Sequence, residues 1–238
     1  MEGSASIALF QQRAGALQGV TGYIDIYCER TEPGLWAEPL NALSNLAFFI
    51  AAMAAFRLAR RRGGRKFESG LLIVVIVLIG TGSSLFHLLA DRWAQLADVL
   101  PILIYQAAFI GIYALRVMQW NAPSAALLLA FFFLLTWLFG LAPREWLNGS
   151  LSYGPALLFL VGLGAYHYRQ DRLARATLLL AAGVFVISLT FRSIDMQICP
   201  TLPAGVHYLW HMLNAVVLFL TMRALLLNTG EAEFSDSR

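Results

Sequence analysis

The sequence predicts an all-α integral membrane bundle of seven transmembrane helices, and three observations predict it. Apolar residues fill 59% of the 238 positions and charged residues only 13%, with a mean hydropathy of +0.66, far from the composition of a soluble domain. The apolar residues fall into seven continuous runs of roughly 20 residues, the length that crosses a bilayer core. Basic residues gather mainly on one side of the alternating runs, as they do on the cytoplasmic side of membrane proteins. The 13% aromatic content and the 19 glycines suit the same solvent, because aromatic rings sit at membrane interfaces and small residues let helices approach closely.

In chain order the runs are 38–58, 70–90, 95–118, 124–141, 151–168, 174–194 and 206–227. The first leads into the basic cluster Arg57, Arg60, Arg61, Arg62, Arg65 and Lys66. A short turn at Asp91 and Arg92 joins the second to the third. Asn121, Ala122 and Pro123 break the third from the fourth, and Pro143, Arg144 and Glu145 break the fourth from the fifth. Arg169, Arg172 and Arg175 lie between the fifth and the sixth. The seventh runs into a short polar tail, 228–238, so residues 1–227 read as one domain. Residues 1–22 offer neither a basic n-region nor a continuous apolar h-region, Arg13 interrupting the only candidate, so no cleaved signal peptide is expected.

Twelve basic residues fall on one side: the six of the first connection, then Arg116, Arg169, Arg172, Arg175, Arg223 and Arg238. Four fall on the other, Arg13, Arg30, Arg92 and Arg144, with Arg192 inside a span. The positive-inside rule then places the N-terminus outside and the C-terminus in the cytoplasm, which an odd number of spans requires. The net charge of +3 forms no basic face, so no nucleic-acid partner is expected.

Polar side chains at membrane depth are costly and face the bundle interior or a site. Here His87 lies near the outer end of the second run, Asp98 in the first turn of the third, and His207 and His211 at the start of the seventh. The i, i+4 spacing of His207 and His211 puts both imidazoles on one helix face. Ser83 precedes His87 by four residues and shares its face. Three neutral imidazoles with an open fourth position are the ligand set of a catalytic zinc, which acidifies water and polarises a carbonyl, the two demands of amide hydrolysis. Asp98 can then take a proton from the water, and Ser83 can donate to the developing oxyanion. The plainer readings stay open beside these: a histidine pair that only packs, and a serine that bonds back to its own helix. His167, at the cytoplasmic end of the fifth run, reads as an interfacial residue. Arg192 and Asp195 read as an ion pair, or Asp195 orients a ligand histidine.

With these residues in view, the chain resembles the alkaline ceramidase family, within a larger group of seven-helix membrane hydrolases that also includes the adiponectin and progestin receptors. The resemblance rests on ordered motifs between about residues 25 and 215. Tyr27-Cys28-Glu29-Arg30, Ala37-Glu38-Pro39-Leu40-Asn41 and Ser44-Asn45 form the first. Gly82-Ser83-Ser84-Leu85-Phe86-His87 with Gln95-Leu96-Ala97-Asp98-Val99-Leu100-Pro101 forms the second, and His207-Tyr208-Leu209-Trp210-His211 the third. It implies a zinc amidohydrolase with His87, His207 and His211 as ligands, Ser83 and Asp98 at the reacting centre, and a ceramide-like lipid entering from the bilayer. It also implies a calcium ion held by Glu29, Glu38 and the main-chain carbonyl of Tyr27. Thr31 stands where the family has an asparagine, and Asp25 lies one residue too early, so Asp25 is taken as the substitute ligand. The competing reading is a salt-bridged cap of Glu29, Arg30 and Glu38 on the first span.

Cys28 and Cys199, the only cysteines, both fall on the outer side in this topology, where an even pair forms a disulfide unless the two are unrelated buried thiols. Three rival functions remain. A receptor-like protein would keep the zinc without turnover, though the chain shows no sizeable cytoplasmic domain to carry a signal. Histidines on different spans can also ligate haem. A retinal protein needs a lysine inside a span, and Lys66, the only lysine, lies between spans. The arginine-rich, nearly lysine-free composition fits a bacterial inner membrane, with the site on the periplasmic side.

Overall fold

The computed structural model describes residues 23–62, 67–143 and 145–229. Among them no strand occurs, and seven helices are long and apolar enough to cross a membrane: Pro39–Arg61, Phe67–Leu89, Arg92–Arg116, Ala122–Gly140, Trp146–Arg169, Thr177–Ile198 and His207–Thr229. They are the first to seventh spans, and the all-helical seven-span expectation is met. The largest difference is at the fifth span, which opens five residues early with a 3₁₀ segment, Trp146–Tyr153, containing three left-handed residues, Leu147, Asn148 and Gly149. Hydropathy registers the apolar middle of a helix and not its irregular ends. The readings of residues 1–22 and of the tail beyond Thr229 lie outside the described residues.

Each span packs on the next in chain order and the seventh closes on the first, so the helices form a ring; the second also meets the seventh across its interior. Small residues make the closest approaches possible. Ala51, Ala52, Ala55 and Ala59 are the buried stripe of the first span. At Gly82 a Cβ would overlap the Ala97 carbonyl oxygen, so the second and third spans touch backbone to backbone. The fourth span buries only Ala125 and Phe132. Its exposed Leu127 and Trp137 belong to an apolar surface that lipid, and not water, would cover.

The local structure that positions the site is built from caps. Pro39 opens the first span, where its missing N–H costs nothing. The free N–H groups of Leu40 and Asn41 donate to the Glu29 carboxylate at 2.7 and 2.8 Å, which also complements the helix dipole. The helix then breaks at Asn45. There the Asn41 carbonyl accepts from Ser44 Oγ at 2.8 Å and from Asn45 Nδ2 at 2.9 Å, side-chain donors competing with the helical ladder. Asp91 caps the third span by accepting from the Ala94 N–H at 2.9 Å.

The seventh span is capped from the sixth. Asp195 Oδ1 accepts from the N–H groups of Val206 and His207 at 2.7 and 2.9 Å, and Oδ2 from that of Cys28 at 2.9 Å. The chain reaches this carboxylate through Gly205, whose φ of +62° and lack of a Cβ let it lie against Asp195 and Cys28. Cys28 and Cys199 are joined in a disulfide, as their placement predicted. One buried aspartate thus fastens the N-terminal segment and the start of the seventh span to the sixth. Asp195→Ala strands three buried N–H groups, each worth about 1–3 kcal/mol; the expected result is a melting temperature lowered by many degrees together with weakened metal retention. A variant that melts and holds metal like the parent would remove this role.

Candidate metal centre

The second and seventh spans bring His87, His207 and His211 together at one end of the bundle, all three fully buried. One ring nitrogen of each lies within 4.8 Å of the others. His87 Nε2 and His211 Nε2 are 3.1 Å apart. Their protonation follows from their partners. His87 Nδ1 faces Glu38 Oε2 at 2.5 Å, an acceptor, so Nδ1 carries the proton. Ser44 Oγ is 2.7 Å from His211 Nδ1 and 2.8 Å from the Asn41 carbonyl. Only the serine can donate to that carbonyl, which leaves its oxygen to accept from His211 Nδ1–H. With both rings neutral, the two Nε2 atoms present lone pairs to each other.

Two bare nitrogens at that distance repel unless a cation lies between them. Ligands about 2.0–2.1 Å from a tetrahedral zinc stand roughly 3.3 Å apart, close to the separation found here. His207 supplies the third group: its ring stacks on Tyr27 with centroids 3.6 Å apart, and its Nδ1 is buried without a hydrogen-bonding partner. An orphaned buried nitrogen on a ring clustered with two other imidazoles fits a metal ion. Glu38 on His87 and Ser44 on His211 are the supporting acceptors such ligands need to fix tautomer and orientation.

Glu38 is the hub beneath the ligands. Besides His87 it accepts from Arg30 Nε, and from Asn41 Nδ2 at 2.9 Å. Burial works to raise its pKa, but His87 and Arg30 outweigh burial and hold the carboxyl below its ordinary range. Arg30 also donates to the His87 carbonyl at 2.6 Å and to Gly34 O at 3.3 Å, so the guanidinium fills the space between the N-terminal segment and the second span.

This arrangement gives the calcium expectation no support. Glu38 spends its oxygens on Arg30, His87 and Asn41, and Glu29 spends its own on the backbone of Leu40 and Asn41. Tyr27 uses its ring against His207 and its carbonyl on the Arg30 N–H. Burial pushes the Asp25 carboxyl up to about 6. Among the described residues these acids form no cluster that could hold a metal; the three histidines alone do. The cap reading describes Glu29, and an ion pair describes Arg30 and Glu38.

Ser83 and Asp98 stand beside the histidines. Ser83 Oγ is 3.4 Å from His211 Nε2, and Ser83 and Asp98 line the same end of a cavity. The neighbouring Ser84 bonds back to Gly80 O at 2.7 Å, so the local bond expected of a helical serine is made by Ser84. Gly82 sets the reach between Ser83 and Asp98, since any Cβ there would drive Ala97 and the third span away. Gly82→Ala is expected to lower kcat at least tenfold while zinc content stays near the parent's, measured on purified protein; unchanged turnover would show that the close approach is not needed.

Below this polar head runs an apolar cavity, partly open to the surroundings. Ser83, Asp98 and His211 line its upper end, and aromatic and aliphatic side chains such as Phe109, Phe159 and Leu163 line the rest. From His211 to Thr221 at the lower end is ten residues of helix, about 15 Å.

Two expectations need correction. Arg192 and Asp195 form no ion pair, and Asp195 holds the backbone of His207 and not its ring. Three N–H groups saturate Asp195, while Arg192 turns to the Asn148 carbonyl, to Ser150 Oγ at 3.1 Å and to the faces of Tyr153 and Trp210. His167 is fully buried instead of interfacial, bonded to Tyr113 Oη at 2.6 Å and facing the Leu173 carbonyl at 3.2 Å.

Against models of known protein families, residues 21–235 match the one described as Ceramidase. Among curated proteins none matches the chain.

Proposed function

The chain belongs to the ceramidase family, a membrane ceramidase-type hydrolase by that membership, and from this premise we propose that it is a zinc-dependent amidohydrolase. Its substrate is ceramide or a related N-acyl lipid, split into a fatty acid and a sphingoid-type amine. The observation that carries the reading is the convergence of His87, His207 and His211, one ring nitrogen of each within 4.8 Å of the others and the Nε2 atoms of His87 and His211 3.1 Å apart. A zinc ion held by these three residues acidifies water and polarises a carbonyl.

The chain's own residues supply the rest. Asp98, at the head of the cavity, takes a proton from the attacking water and returns it to the leaving amine. Ser83 donates its hydroxyl to the developing oxyanion. The apolar cavity orders the lipid chain, so the amide comes to the histidines and not past them. We read residues 1–227 as one domain, and the excess of basic residues on the opposite side supports a site at the non-cytoplasmic face, the periplasmic side of a bacterial inner membrane.

Purified protein should contain about one zinc per chain and release fatty acid from an N-acyl sphingoid lipid. Turnover should stop on chelation and return with zinc. Zinc without turnover on any N-acyl lipid would favour a receptor-like relative, and protein without zinc would remove the metal from the reading.

A further inference from the structure

The cavity below the histidines holds few polar side chains, and most of them have partners. Asn214 donates to the Trp210 carbonyl at 2.9 Å and to Ser188 Oγ at 3.1 Å. Tyr105 Oη is paired with Thr221 Oγ1 at 2.8 Å. Gln106 also lines the cavity, on the same stripe of the third span as Asp98, Ile102, Phe109 and Ile110, and its amide has no hydrogen-bonding partner among the described residues. A primary amide facing an apolar space, with two donors and an acceptor unused, costs free energy relative to a satisfied one once a lipid chain covers it. A hydrocarbon chain repays none of this. A chain carrying a hydroxyl at the right depth repays it.

That depth follows from the helix. Gln106 lies eight residues, about 12 Å, from Asp98 along the third span. With ~1.5 Å carbon–carbon bonds in an extended zigzag, this is the reach of roughly nine or ten carbons from the amide. We propose that the amide of Gln106 recognises a hydroxyl near the tenth carbon of the lipid chain in the cavity, so that the preferred lipid carries a mid-chain hydroxyl. This deepens the hydrolase reading, taking from it that the amide lies at the histidines, yet it concerns binding and needs no turnover. The hydroxyl can belong to the acyl chain or to the chain bearing the amine; the chemistry seen by Gln106 is the same.

The test measures equilibrium binding of product-like ligands to the full chain in nanodiscs, read by tryptophan fluorescence, to which Trp210 in the cavity wall contributes. The ligands are stearate, 10-hydroxystearate, octadecylamine and its 10-hydroxy derivative. One hydroxylated ligand is expected to bind at least tenfold tighter than its plain counterpart, the acid or the amine showing which chain occupies the cavity. Gln106→Leu is expected to abolish that preference and to bind the plain ligand at least as well as the parent, which also shows that the variant is folded. Equal affinity for plain and hydroxylated ligands, or a preference that survives Gln106→Leu, overturns the proposal. The amidase assay reports separately on the hydrolase reading, because binding preference persists in a protein that turns nothing over.

Discussion

His211→Ala is expected to yield protein with little or no bound zinc and a loss of turnover of about a thousandfold or more. The size follows from what the ring does. His211 Nε2 is one of the two lone pairs that define the metal position, and it also lies within 3.4 Å of Ser83. With it gone, His87 is left to ligate with His207 alone, and two imidazoles bind zinc far more weakly than three. Removing the support instead of the ligand should do less: Ser44→Ala takes the acceptor from His211 Nδ1, and the loss of such a group typically costs 10–100-fold in metal affinity. Metal content by elemental analysis and rates at saturating zinc check both variants. Full zinc and full activity in His211→Ala would sink the three-histidine site.

Asp98→Asn is the second large effect, and of the opposite kind. The carboxylate lines the cavity with Ser83 but is not in the three-histidine group that could hold a metal. Zinc content should therefore remain, while kcat falls by about 10²–10⁴, the range for losing a positioned general base. The asparagine keeps the shape, so the loss is assigned to the proton and not to packing. Normal turnover in this variant would mean that another group handles the proton. The two substitutions separate ligand from base: one loses metal and rate together, the other rate alone.

Much of this was legible in the sequence because membrane depth makes polarity conspicuous. In runs dominated by Leu, Ala, Val and Phe, His87, His207 and His211 stand out, and the i, i+4 pair has only one geometry on a helix. The seven spans were legible for the same reason. What the chain's order hides is who supports whom. Glu38 and His87 are 49 residues apart, and Ser44 and His211 are 167 apart; no periodicity announces such pairs. One signal was present: Glu38, Asn41 and Asn45 recur at helical spacing along the first span, a polar stripe that needed partners across the bundle. The ion pair expected of Arg192 and Asp195 failed because spacing says which residues share a face and not which competes best. Backbone N–H groups at the start of the seventh span reached Asp195 first. Gly82 and Gly205 were unreadable as site residues, since their work lies in what a Cβ would strike.

The site draws its ligands from the second and the last helix, with a disulfide joining residues 28 and 199 across the intervening chain. During biosynthesis, then, if the three histidines hold the proposed metal, no partly made chain can acquire it: His87 leaves the ribosome long before His207 and His211 exist. Loading must follow release and insertion of the final helix, and a message truncated before codon 207 yields a polypeptide able to enter the bilayer but unable to mature. For the proposed metal, acquisition would then double as a checkpoint on completed assembly.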